Sequence, residues 1–214
     1  MNADPHRGQP IVHRGPAPAA ARLVAILVHG RNAAAANILT IADELGLAGV
    51  AYLAPEAADR TWYPNSFLRP LPENEPGLSS ALGLLESMVG DLRQRGIGSE
   101  RVAIIGFSQG ACLALEYAAR HARRYAALAG LSGALIGPPG TPRAYAGAMD
   151  GTPVFLGCSD IDPHIPLARV HETAGIFRRL GASVDERIYP GMGHLVGADE
   201  IEAVRVLLRR YLSP

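Results

Sequence analysis

Apolar runs and amphipathic stretches alternate along this chain from residue 22 to its end. Residues 22–28 (RLVAILV) are almost continuously apolar, the pattern of a strand covered on both faces. Residues 37–45 predict a helix and 50–53 a second strand. A long proline-rich loop occupies 54–76, and 78–95 then carries apolar residues at helical spacing. Strand 102–105 leads into helix 109–120, followed by strand 126–131. Residues 137–151 hold too many glycines and prolines for either element, and the pattern leaves open whether this loop covers a site or closes a crossover. The last third gives strand 154–156, helix 167–180, strand 183–189 and helix 200–212. Short strands separated by helices predict βαβ units, hence a mostly parallel sheet with helices on both faces. Residues 10–14 are a candidate antiparallel edge strand added before the first crossover.

Composition narrows this picture. A length of 214 residues suits one ordinary domain, read as a leader over 1–20 and a single α/β domain over 21–214. Twenty basic and twenty acidic residues balance, so the chain lacks the basic excess that a nucleic-acid partner needs. The leader has no apolar core of the secretory type, and the apolar stretch 17–28 contains Arg22 and is too short for a membrane span. Cys112 and Cys158 form neither a disulfide framework nor a C-x-x-C pair, so both are expected to be reduced and buried. A cytoplasmic protein follows. Its oligomeric state, a homodimer included, is not written in these patterns.

The candidate chemistry starts at Gly106-Phe107-Ser108-Gln109-Gly110, a G-x-S-x-G match. Its context matters more than the match, because the strand RVAII runs into it and the helix ACLALEYAAR leaves it. A serine in such a strand-to-helix turn is lifted above the carboxyl ends of the strands, at a helix N-terminus that favours developing negative charge. Ser108 needs a base, and the base needs an acid. Among seven histidines, His6 and His13 fall in a leader read as mobile. His29 precedes the serine, and His121 and His171 belong to helical stretches. His194 alone follows the last strand, with His164 as the next choice. The acid should follow strand 154–156, where Asp160 and Asp162 both qualify and spacing does not separate them. An oxyanion hole needs two backbone N–H groups, expected from Gln109 and, in His29-Gly30-Arg31-Asn32, from Arg31. His29 is then structural.

Taken together, Val28-His29-Gly30, the Ser108 motif, Asp162-Pro163-His164-Ile165-Pro166 and Tyr189-Pro190-Gly191-Met192-Gly193-His194 resemble the phospholipase/carboxylesterase family, which includes acyl-protein thioesterases. The resemblance implies a single-domain α/β-hydrolase fold; no strand-to-strand gap exceeds what one helix and a loop fill, so no cap domain is expected and the site should be open and shallow. It selects Asp162 over Asp160. The segment from Ala54 to Pro76 resembles the loop that walls the acyl pocket in compact bacterial esterases of that family, which makes Trp62, Tyr63 and Phe67 pocket candidates. Where H-G-x-G is usual in acyl-protein thioesterases this chain has Asn32, a departure that counts against long acyl groups or protein substrates. The implied function is a serine carboxylesterase of short-chain esters, using neither metal nor cofactor and taking a small-molecule ester as its partner. Alternatives are a lysophospholipase or acyl-protein thioesterase and, from another class, a non-catalytic binding protein of the same fold. A metal hydrolase built on His164, His171 and Asp160 lacks any H-E-x-x-H-type ligand pair.

Overall fold

Five successive strands bury every side chain or all but one, and this places them inside a sheet covered on both faces. They are β2 (Leu23–Val28), β3 (Val50–Pro55), β4 (Val102–Phe107), β5 (Ala127–Leu131) and β6 (Pro153–Ser159). β1 (Ile11–Arg14) and β7 (Ser183–Tyr189) are mostly exposed or half-buried and form the two edges. The computed structural model describes residues 4–212. Its sheet runs β1-β3-β2-β4-β5-β6-β7, with β1 antiparallel to β3 and every other pairing parallel. The expected α/β-hydrolase fold and the expected edge strand are both present.

Alternation along β2 shows how the layers are filled. Val24, Ile26 and Val28 join the core beneath α2 (Gly77–Gln94), α3 (Gln109–Arg120) and α4 (Leu167–Arg179). Leu23, Ala25 and Leu27 face the opposite core, closed by α1 (Ala35–Leu45) and α5 (Ala198–Arg209). Edge β7 carries Asp185, Glu186 and Arg187, charges that discourage pairing with another chain. The sheet order reverses between β2 and β4, since the chain goes from β2 to β3 on one side and returns to β4 on the other. Ligands of open α/β sheets bind at such a switch point, outside the carboxyl ends of the strands.

Some boundaries differ from the sequence reading, each for a local reason. α1 starts two residues earlier because the Asn37 side chain accepts the Ala34 N–H at 2.8 Å and Glu56 accepts the Ala35 N–H at 2.8 Å. β6 runs on through Gly157-Cys158-Ser159, paired in register with Arg187–Tyr189 of β7. The leader, read from the sequence as mobile, is packed against the rest of the chain where it is described. His6 is buried, its Nε2 donating to the Trp62 carbonyl at 2.9 Å and its Nδ1 accepting the Ala58 N–H at 3.1 Å. Residues 1–3 of that leader lie outside the described residues, as do 213–214. Loop 137–151 closes the β5-to-β6 crossover. Its Arg143 donates to the Ile136 carbonyl at 2.6 Å and pairs with Glu172 on α4. Among the described residues no helix is long and apolar enough to cross a membrane.

The start of α5 carries a carboxyl in an unfavourable place. Glu200 is fully buried, one oxygen accepting the Gly197 N–H at 2.7 Å and the other without a hydrogen-bond partner. Burial, reinforced by the neighbouring Asp199 charge against the Gly197 bond, pushes Glu200 up to about 7. A carboxyl raised on folding stabilises fully below its unfolded value of 4.5 and progressively less as pH rises towards 7. Glu200→Gln keeps the cap and removes the charge. It is expected to raise stability by about 2–3 kcal/mol at pH ~8, with the gain shrinking to nothing near pH ~4.5. Urea midpoints at the two pH values check this, and an equal gain at both would contradict the burial argument.

Candidate active site

The sequence Gly106-Phe107-Ser108-Gln109-Gly110 turns from β4 directly into α3, and the turn is tight enough to demand its glycines. A Cβ on Gly106 would lie 2.4 Å from the Gly110 carbonyl oxygen, and one on Gly110 would lie 2.1 Å from that of Val28. Ser108 between them adopts φ 55° and ψ −121°, a left-handed conformation that costs on the order of 1–3 kcal/mol and is held by the packed strand and helix on either side. The Ser108 N–H donates to the Leu131 carbonyl at 2.9 Å, which fixes the turn against β5.

Three loops at the carboxyl ends of the strands then converge. Ser108 Oγ lies 2.8 Å from His194 Nε2, and His194 Nδ1 lies 2.7 Å from Asp162 Oδ2. The other oxygen of Asp162 accepts the N–H groups of His164 at 2.8 Å and Ile165 at 3.1 Å. Burial opposes ionisation of Asp162, but the His194 hydrogen bond and these two backbone donors outweigh it and hold the carboxyl below its ordinary value. An ionised Asp162 accepts from His194 Nδ1–H, so Nε2 is left free to accept from Ser108. The His194 ring is flanked by Phe107, with centroids 5.1 Å apart, and by the edge-on His164 ring at 4.8 Å. His164 therefore packs against the candidate base. Asp160 accepts the Gly191 N–H at 2.8 Å and ties the two loops together.

A cavity of about 530 Å³ opens beside Ser108, with Tyr63, Phe67, Cys112, Ile165 and His194 among its walls. That is the volume of a small-molecule pocket. Residues 63–67 of the proline-rich loop form one of its walls. Cys112 reaches this wall, but burial pushes its thiol up to about 12 and keeps it protonated.

The match to a family is now decisive: the sequence model described as Phospholipase/Carboxylesterase covers residues 19–212. The chain belongs to the phospholipase/carboxylesterase family. A crystal structure of a phospholipase/carboxylesterase from Dyadobacter fermentans is 37% identical, with a TM-score of 0.91 over 99% of this chain and all of that one. The acyl-protein thioesterase 1 of Gibberella zeae is 28% identical over 66% of this chain and 61% of its own length, so the match spans about three fifths of that relative. The acyl-protein thioesterase 1 of Yarrowia lipolytica is 25% identical over 89% of this chain and 92% of its own. The carboxylesterase of Bacillus cereus, at 17% identity and a TM-score of 0.75, shares the fold.

Arg31 and Gln109, the residues expected to form the oxyanion hole, also engage a neighbouring loop through their side chains. The Arg31 guanidinium donates to Thr61 Oγ1 at 3.1 Å and to the carbonyls of Tyr63, Pro64 and Asn65 at 3.0, 2.8 and 2.6 Å. The Gln109 side chain grips the same loop, donating to the Tyr63 carbonyl at 2.7 Å and accepting the Trp62 N–H at 3.0 Å. Among the described residues no hydrogen bond uses the backbone N–H of Arg31 or Gln109. Asn32 sits at φ 61°, in the left-handed region that favours glycine, and its N–H donates to the Arg60 carbonyl at 2.8 Å.

Trp62 does not line the cavity. It is fully buried, with Nε1 donating to the His29 carbonyl at 2.8 Å and its ring 4.8 Å from that of His29. His29 is structural, as its position before the serine suggests: Nδ1 donates to the Gly30 carbonyl at 2.8 Å and Nε2 accepts the Ala57 N–H at 3.1 Å. Burial keeps both His29 and His6 below the usual imidazole value, hence neutral. His171 pairs with Glu186 instead of joining the site, and among the described residues no three His, Cys, Asp or Glu side chains are grouped to hold a metal ion.

Proposed function

We propose that this chain is a serine carboxylesterase that hydrolyses short-chain carboxylic esters through an acyl-enzyme on Ser108. The observation that carries the reading is the unbroken relay from Ser108 Oγ through His194 to Asp162, at 2.8 and 2.7 Å, beside a cavity of about 530 Å³. His194 takes the Ser108 proton as Oγ attacks the ester carbonyl, and the oxyanion is held by the N–H groups of Arg31 and Gln109. The tetrahedral intermediate collapses, the alcohol leaves with the proton from His194, and the acyl group stays on Ser108. Water, deprotonated by the same imidazole, then releases the acid and restores Ser108. Asp162 remains ionised throughout and stabilises the imidazolium. The two unpaired, buried cysteines support a cytoplasmic setting for this activity.

A fluorophosphonate probe tests the assignment. One adduct per chain is expected, on the peptide carrying Ser108, with hydrolysis of p-nitrophenyl butyrate falling in step. An adduct on another serine, or hydrolysis that survives complete labelling, would overturn it. The acyl-protein thioesterase reading draws on the names of the fungal relatives. A panel from acetate to palmitate, as oxygen esters and thioesters, separates the two by where kcat/KM peaks. A non-catalytic binding protein of this fold would take up no label and turn over none of the panel.

A further inference from the structure

The active-site cavity has a neighbour. A second cleft, of about 410 Å³, lies on the far side of the turn at 30–33, between α1 and the start of α5. Gly30, Arg31, Asn32, Ala33 and Phe107 border both spaces. The partition between them is thin, because a Cβ on Gly30 would already touch the Phe107 ring and the Ser108 Cβ at 3.4 Å. Phe107 in turn lies against His194, and Val196, two residues beyond that histidine, lines the cleft. The cleft therefore lies one ring, that of Phe107, away from the imidazole, and both Ser108 and His194 line only the larger cavity.

An ester has two arms, and the chemistry sorts them. The acyl arm stays bonded to Ser108 after the first step, so it belongs in the cavity that Ser108 lines, against Tyr63 and Phe67. The leaving oxygen must face His194 Nε2, which returns the proton to it, so the other arm is directed past His194 and Phe107. We infer that the cleft between α1 and α5 is the subsite for the alcohol arm. This rests on the esterase reading and adds a substrate class to it: esters of uncharged or cationic alcohols that have an apolar body and a hydrogen-bonding edge. The volume lies within the roughly 300–1,000 Å³ of small-molecule pockets. Ile38, Ile41 and Val196 supply apolar lining. Asn37 has Oδ1 committed to the Ala34 N–H, which leaves its NH2 to donate, and Thr40 Oγ1 donates to the Asn37 carbonyl, which leaves it to accept. Glu44 brings a carboxylate to the same wall and disfavours an anionic alcohol, while the Arg31 guanidinium is already occupied by loop 61–65.

The test holds the acyl group constant and changes the alcohol, following acid release from the full chain at fixed pH. Methyl butyrate and 2-phenylethyl butyrate have alcohols of similar acidity, so a difference in kcat/KM reports binding. The phenylethyl ester is expected to be favoured by about tenfold. Thr40→Trp changes an exposed position on α1 outside the catalytic relay and fills the cleft. It is expected to abolish that preference through KM, leaving methyl butyrate, methyl 3-phenylpropionate and the rate of Ser108 labelling unchanged. Glu44→Gln, a second exposed position, is expected to raise kcat/KM several-fold for the butyrate ester of 4-(2-hydroxyethyl)benzoate, an anionic alcohol. No phenylethyl preference, a preference that survives Thr40→Trp, or a loss confined to methyl 3-phenylpropionate would each overturn the subsite while leaving the esterase reading intact. Failure of the unaltered chain to hydrolyse any of these esters, with Ser108 unlabelled, would overturn both.

Discussion

Ser108→Ala is expected to lower kcat for p-nitrophenyl butyrate by about four orders of magnitude or more, while KM changes by less than a few-fold. The reason lies in what the substitution removes. Alanine keeps the Cβ and therefore the strained turn at φ 55°, so the Gly106 and Gly110 contacts and the Leu131 hydrogen bond persist. Only Oγ goes, and with it the 2.8 Å contact to His194. The substrate cavity is unaltered, which is why KM should hold. Residual turnover would come from water attacking a carbonyl still polarised by the N–H groups of Arg31 and Gln109. Adding His194→Ala should then cost little more, because base and nucleophile act as one unit and the second deletion finds nothing left to break. Turnover within tenfold of the unaltered chain would falsify the role given to Ser108. So would a further loss of several orders of magnitude in the double variant.

How much of this was legible in the sequence depends on whether the deciding contact is local. The interior strands can be read because residues buried on both sheet faces must be apolar in succession, as in LVAILV of β2. The site can be read because each member closes a strand: Ser108 ends β4, Asp162 follows β6 and His194 follows β7. Asp162 and Asp160 stand two residues apart, and only the family resemblance separated them in advance. The geometry separates them by partner, since one accepts from His194 and the other from the Gly191 N–H.

What escaped is long-range. His6 is buried because donors and acceptors at Ala58 and Trp62 meet it, more than fifty positions away. Trp62 is in an anchoring layer and not in the pocket wall, because its indole N–H finds the His29 carbonyl. The side chains of Arg31 and Gln109 brace loop 61–65 through backbone oxygens and amides, partners that leave no trace in residue type. That brace makes one loop both a wall of the cavity and the support of the two expected oxyanion donors.

Asp162→Asn isolates the remaining member of the relay, and its expected cost is about four orders of magnitude in kcat at neutral pH. The size of the effect comes from a proton in the wrong place. The Asp162 oxygen that accepts from His164 and Ile165 N–H is well served by the asparagine carbonyl, so the loop keeps its shape. The NH2 group must then face His194 Nδ1 across 2.7 Å, where an acceptor had been. A donor in that position forces Nδ1 to accept, the imidazole proton moves to Nε2, and Nε2 no longer takes the proton of Ser108. The same change withdraws the negative charge that stabilises the imidazolium during acylation and deacylation. Asp160→Asn supplies the control: it keeps an acceptor for the Gly191 N–H and leaves the tautomer alone, so kcat should stay within tenfold. If the two variants lost activity equally, orientation of the loops and not the tautomer of His194 would be what Asp162 provides.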